Sequence, residues 1–170
     1  MARIPFADPD APDGADLARQ ITAERGSLLE LYLMLLHSPP IAAGWLKLLT
    51  AVRQQSRLPG TLRELIIMRV AALNGAAYEA AVHAAIALRE GLTQDQLDDI
   101  AKWQKSPRFD PRQRAVLAYV DAMTRDIRVP DAIFDEIRRR FDQRSIVELT
   151  VTISAYNMVS RFLEALEIHP

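Results

Sequence analysis

No cysteine occurs among the 170 residues. That absence excludes disulfides, thiolate metal sites, cysteine nucleophiles and any dithiol redox cycle. Glycine is scarce too, with 6 in the chain, and none are arranged as a loop that could cradle phosphates. Charge of one sign is missing: the formal net charge is -1. The one dense basic run, Arg138-Arg139-Arg140, shares its predicted helix with Asp131, Asp135, Glu136 and Asp142, and reads as a solvated face. A nucleic-acid partner needs a clustered basic surface and is not expected. No apolar run approaches the ~20 residues of a membrane-spanning helix. The stretch Met1 to Gly14 lacks a basic region followed by an apolar one, so it does not read as a secretory signal. A cytoplasmic protein without a membrane partner is expected.

Hydrophobic residues make up 49% of the chain and charged residues 25%, which suits one globular domain with a real core. Residues 1–14, rich in Pro, Asp and Gly, read as an irregular arm, free or draped over a neighbour. From residue 15 to 170 the apolar spacing is helical throughout. Gly26, Ser38-Pro39-Pro40, Leu58-Pro59-Gly60, Asn74-Gly75, Gly91, Lys105 to Phe109 and Val129-Pro130 break the pattern. Ser27/Glu30, Thr61/Glu64 and Thr93/Gln96 have the spacing of capping boxes, and Asp110-Pro111 reads as a helix start. β-branched runs such as Val151-Thr152-Ile153 lie inside long helical patterns, where tertiary context overrides strand propensity. The reading is an all-α domain of seven to nine helices. Leu28 to Leu36 is apolar all round, which predicts burial in the core or between subunits.

Three ionisable side chains stand inside the apolar stretch Leu58 to Leu92: Glu64, Glu79 and His83. Glu79 and His83 are four apart and share a helix face, so a hydrogen bond between them would orient the imidazole and raise its pKa. His83 then reads as a general acid or base near neutral pH. The plainer alternative is a helix-surface pair worth a few tenths of a kcal/mol. Glu64 occupies the third helical position of the Thr61 box, which accounts for it as a cap. The three histidines, His37, His83 and His169, are not at ligand spacing, and no metal site is expected. No serine sits in a strained strand-to-helix turn of the kind a Ser-His-Asp triad uses. Tyr32, Trp45, Tyr78 and Tyr156 can line a pocket, although core packing is the simpler role for each.

Arg63-Glu64-Leu65-Ile66-Ile67, Ala71-Ala72-Leu73-Asn74-Gly75, Tyr78-Glu79, His83 and Leu88-Arg89-Glu90-Gly91-Leu92-Thr93, in that order, resemble the core of the carboxymuconolactone decarboxylase family. That family shares the alkylhydroperoxidase D-like fold. The likeness covers roughly residues 40–125, and Ala155 to Met158 with Arg161-Phe162 extends it. Peroxidase members carry a Cys-x-x-Cys pair, a histidine four residues after the second cysteine, and an upstream glutamate. The matching positions here hold Ala76, Glu79, His83 and Glu64, so thiol peroxidase chemistry is not expected. The resemblance implies a cofactor-independent decarboxylase or related lyase acting on a small carboxylated lactone or ring compound by proton relay. It implies His83, Glu79 and Glu64 as the chemical residues, and an assembly of identical subunits, a trimer or hexamer. Tyr78, Arg69 and Arg161 are the candidates for holding an acidic substrate. The alternative is a non-catalytic oligomeric relative that keeps the fold.

Overall fold

A computed structural model describes residues 2–169. Among them are nine α-helices and no strand: α1 (Ala15–Arg25), α2 (Glu30–Leu35), α3 (Pro39–Thr50), α4 (Gly60–Asn74), α5 (Ala77–Arg89), α6 (Gln94–Asp99), α7 (Pro111–Arg125), α8 (Asp131–Arg140) and α9 (Gln143–Ala165). A π-helical turn, Ala51–Gln55, continues α3, and a 3-10 turn, Ile100–Lys105, continues α6. Residues 2–14 contain no helix. They lie along the chain's own helix ends, with Arg3 N–H donating to Leu166 O at 2.9 Å and Ala7 N–H to Leu33 O at 3.2 Å.

Helix α4 is the axis of the domain. Leu65, Ile66, Ile67 and Val70 are fully buried on it, together with Glu64. A helix covered on all sides must be central, and α5, α7 and α9 pack around it. Gly75 ends α4 in the left-handed conformation (φ 69°), which glycine adopts without the strain a Cβ brings. That turn reverses the chain and lays α5 back along α4. The long helix α9 closes the other side, with Leu149, Ile153, Tyr156 and Leu163 facing inward.

One of the three expected capping boxes forms, where Thr93 and Gln96 satisfy each other at α6; Asp110, expected as a helix start, forms a further box with Gln113 at α7. The other two expected boxes do not form. Helix α2 starts from Leu29 with no side-chain cap, so Ser27 and Glu30 are not paired. At α4, Thr61 Oγ1 donates to Glu90 O at 2.6 Å, and Glu64 is turned inward to other partners. The apolar run 28–36 is covered within the chain itself, as none of its leucines is exposed. It therefore gives no separate reason to expect subunit burial. The exposed large apolar residues lie elsewhere, at Ile4 and Phe6 in the arm, Ile41 and Leu48 on α3, Leu88 on α5, Ile127 after α7, and Val147, Val151 and Met158 on α9.

Candidate active site

Helices α4 and α5 bring the three ionisable residues into the interior, where Glu64 is 0%, Glu79 2% and His83 6% exposed. The pairing differs from the i, i+4 expectation. His83 does not bond Glu79. Its Nδ1 meets Glu64 Oε2 across the α4–α5 contact at 2.7 Å. Arg63 Nε donates to the other Glu64 oxygen at 3.2 Å, and Arg63 Nη2 reaches Glu90 Oε1 at 3.1 Å. Burial pushes the Glu64 carboxyl up, but His83 and Arg63 outweigh it and hold it below the usual carboxylate range. An ionised Glu64 only accepts hydrogen bonds, so Nδ1 carries the ring proton and Nε2 keeps its lone pair. Burial lowers the His83 pKa against the opposing pull of Glu64, and Arg53 and Arg63 add to the lowering. His83 is thus a neutral imidazole with a basic Nε2. The ring of Tyr156 meets it edge-on, with centroids 5.3 Å apart.

Glu79 is held from α9 instead. Ser160 Oγ donates to Glu79 Oε2 at 2.5 Å. Its other oxygen, Oε1, is buried with no partner among the described residues. Burial is the dominant influence, and it raises the Glu79 pKa to about 8 against the Ser160 hydrogen bond. Glu79 is therefore a neutral acid at pH 7, where an ionised carboxylate without a cation would be expensive to bury.

Glu79 and His83 line one cavity that is narrow inside and open to solvent at its mouth. Its walls are mostly apolar: Leu29, Leu31, Leu49, Val82, Val159 and Leu163. Tyr32, Trp45, Tyr78 and Tyr156 also line it, so these aromatics serve the cavity as well as the core. The indole N–H of Trp45 is buried and unpartnered like Glu79 Oε1. Among the described residues no three His, Asp or Glu side chains cluster as metal ligands.

The two arginines expected to hold an acidic substrate are elsewhere. Arg69 lies five residues along α4 from Glu64, well round the helix. Its guanidinium grips Asp121 at 2.6 and 2.8 Å and the Ile100 carbonyl at 3.0 Å, joining α4 to α7. Arg161 is exposed and bonded to Asn157 on its own helix. The cavity's cations are instead Arg25 and Arg53, neither of which stands out by local spacing. Ser160 was equally invisible in the sequence, being 81 positions from its partner.

Residues 39–122 match the Carboxymuconolactone decarboxylase family. A solved protein of unknown function from Agrobacterium tumefaciens is 30% identical, covers 79% of this chain and 93% of its own, and superposes with a TM-score of 0.75. The chain belongs to the carboxymuconolactone decarboxylase family. Two further solved structures share the fold at 21% identity. One is the alkylhydroperoxidase AhpD core of an uncharacterized peroxidase-related protein from Ralstonia eutropha JMP134, with a TM-score of 0.84 over 100% of this chain and 92% of that one. The other is a Cys-to-Ala variant of the debrominase Bmp8 in complex with 2,3,4-tribromopyrrole, with a TM-score of 0.81 over 98% of this chain and 92% of that one. Within the carboxymuconolactone decarboxylase family this chain is a cysteine-free, all-helical member of alkylhydroperoxidase D-like fold. Among the described residues no helix is long and apolar enough to cross a membrane.

Proposed function

We propose that the protein is a cofactor-independent lyase that decarboxylates a small carboxylated lactone or related ring compound. The observation that carries this reading is the placement, on the wall of one mostly apolar cavity, of Glu79 with an unpartnered Oε1 and of His83 bonded through Nδ1 to Glu64, where burial favours the neutral form of each. Environments that push two titratable groups in opposite directions divide the acid and base roles between them. Here that makes Glu79 the acid and His83 the base, a division the sequence reading did not make.

In the proposed reaction the bond between the ring carbon and its carboxylate breaks, releasing carbon dioxide. The electron pair moves into the conjugated lactone carbonyl and returns to carbon as that carbon takes a proton from Glu79. Glu79 is left as a carboxylate and must recover a proton from solvent. His83, with Nε2 free, is the residue through which that proton is returned. Glu64 fixes the His83 tautomer from behind and touches no substrate. The mostly apolar lining favours loss of a charged carboxylate as neutral gas, because it solvates the anion poorly. That a debrominase of this fold is known in complex with a bromopyrrole supports a small ring as the occupant.

The test is carbon dioxide release from carboxymuconolactone, measured for the wild type, Glu79→Gln and His83→Ala. Removing a general acid or base lowers turnover by about 10²- to 10⁴-fold. Turnover unchanged in both variants sinks the proton-relay roles. No turnover by the wild type favours the non-catalytic relative. A trimer or hexamer of this chain is part of the same proposal, supported by the exposed Leu48, Val147 and Val151, and light scattering gives the subunit count.

A further inference from the structure

The cavity does not end at its own mouth. A wider basin adjoins it, and the two share Arg25, Leu29, Arg53 and Val82 as a threshold. Four arginines line the basin, namely Arg25, Arg53, Arg63 and Arg89, against Glu24 and Glu90. Such a rim attracts anions toward the interior. The arginines of the threshold and basin differ in what they are free to do. Arg25 is committed, donating to Thr50 Oγ1 at 2.7 Å, to Leu46 O at 3.3 Å and to Tyr32 Oη at 3.3 Å. Arg63 is committed to Glu64 and Glu90.

Arg53 is half-buried and has no hydrogen-bond or ion-pair partner among the described residues. It sits in the π-helical turn that ends α3, and a π turn inserted in a helix recurs at functional sites. An arginine left half-buried without a partner at the entrance to an apolar cavity forgoes the charge-assisted bonds its five donors can make. Beyond it lie two further unmet groups, Trp45 Nε1 and Glu79 Oε1. Its charge also reaches His83, adding to the burial that keeps that ring neutral.

We propose that Arg53 is the anion anchor of this cavity: the ligand is a small ring acid with a carboxylate, other than the one the ring loses, that sits on the Arg53 guanidinium while its ring lies among Trp45, Leu49 and Tyr156. The inference rests on the reading of the cavity as a substrate site. It adds the residue that holds the charge and the direction in which the ligand enters. The anchored end stays at the threshold, and the ring extends inward toward Glu79 and His83. It also replaces Arg69 and Arg161, whose guanidiniums are used elsewhere.

The test measures binding without turnover. Benzoate and its neutral isostere benzamide are titrated by calorimetry or ligand-detected NMR into the wild type, Arg53→Gln, Arg53→Lys and Arg89→Gln. The wild type is expected to prefer benzoate. Arg53→Gln is expected to lose about 10- to 100-fold in benzoate affinity, as for one charge-assisted contact, with little change for benzamide. Arg53→Lys recovers part of the loss, and Arg89→Gln, on the outer rim, costs little. Equal losses in Arg53→Gln and Arg89→Gln overturn the proposal in favour of diffuse rim charge. Benzoate binding unaffected by Arg53→Gln overturns it, as does a wild type that does not bind benzoate or does not prefer it. Anchoring intact with no carbon dioxide release sinks the lyase reading alone. Carbon dioxide release intact with no Arg53 dependence sinks the anchor alone.

Discussion

Glu79→Gln separates a buried neutral acid from an ordinary carboxylate by stability alone. Glutamine matches glutamate in shape, stays neutral at every pH, and still accepts from Ser160 through its amide oxygen. In the wild type the Glu79 pKa rises from 4.5 to about 8 on folding, chiefly through burial. Below pH 4.5 the group is protonated in both states, and its contribution is fully present. Between 4.5 and 8 the unfolded chain releases the proton while the folded chain holds it, so stability falls as pH rises. Above the folded pKa both states are ionised and the slope vanishes. At about 1.4 kcal/mol per pH unit the full loss is about 5 kcal/mol, with about 3 kcal/mol of it already lost by pH 7. That is a large share of the roughly 5–15 kcal/mol by which a domain is stable. Other groups titrate alike in both proteins and cancel in the difference, provided they do not couple to residue 79. The assay is denaturant unfolding followed by far-UV circular dichroism, from about pH 5 to about pH 9, for wild type and variant. Glu79→Gln is expected to gain on the wild type steadily up to about pH 8, to level off above it, and to be the more stable protein at the alkaline end. A flat difference profile refutes the reasoning, because it means that Glu79 ionises in the folded protein much as it does in the unfolded one.

Ser160→Ala removes the one hydrogen bond that opposes burial at Glu79. The Glu79 pKa is expected to rise further, moving the alkaline limb of the pH–rate profile upward, and an unmoved limb counts against the contact. Arg69→Ala leaves Asp121 largely buried without its bidentate partner and is expected to cost about 3–5 kcal/mol in chemical unfolding. Benzoate affinity of that variant, measured where it is folded, is expected to match the wild type, and a selective loss of affinity returns Arg69 to the substrate. Gly60→Ala would place a Cβ 1.5 Å from Glu90 Oε2, but Glu90 is a flexible surface side chain that can swing away. Its Arg63 contact is then expected to break at a cost of about 1 kcal/mol or less, read as a small change in melting temperature.

The helices were legible because their signals are local. Thr93 with Gln96 and Asp110 with Gln113 cap where their spacing says they should, and Gly75 ends α4 where the apolar period stops. Thr61 and Glu64 have the same spacing and do not cap, because His83 from α5, with the neighbouring Arg63, takes the Glu64 carboxylate and the Glu90 carbonyl takes the Thr61 hydroxyl. The candidate site was legible only as a trio of ionisable residues, without its wiring, its arginines or Ser160. Glu64, Glu79 and His83 stand out as ionisable groups in apolar helices, and all three are buried together. The i, i+4 spacing made Glu79 the obvious partner of His83, but packing of α5 against α4 and α9 gave each a different one, 19 and 81 positions away. Arg161 adjoins Ser160 in sequence, yet a helix turns each successive residue by about 100°, so Ser160 faces Glu79 while Arg161 faces solvent.

By itself the sequence determined the all-helical class, the family, and the absence of any thiol chemistry, since these depend on residue types and short-range spacing. Only the tertiary structure decided the charge states. A carboxyl is neutral or ionised according to what surrounds it in three dimensions. Glu64 is ionised beside Arg63 and His83, whereas Glu79, with Ser160 for company and no cation, keeps its proton. Two glutamates that read alike in the chain are thereby given opposite chemistry.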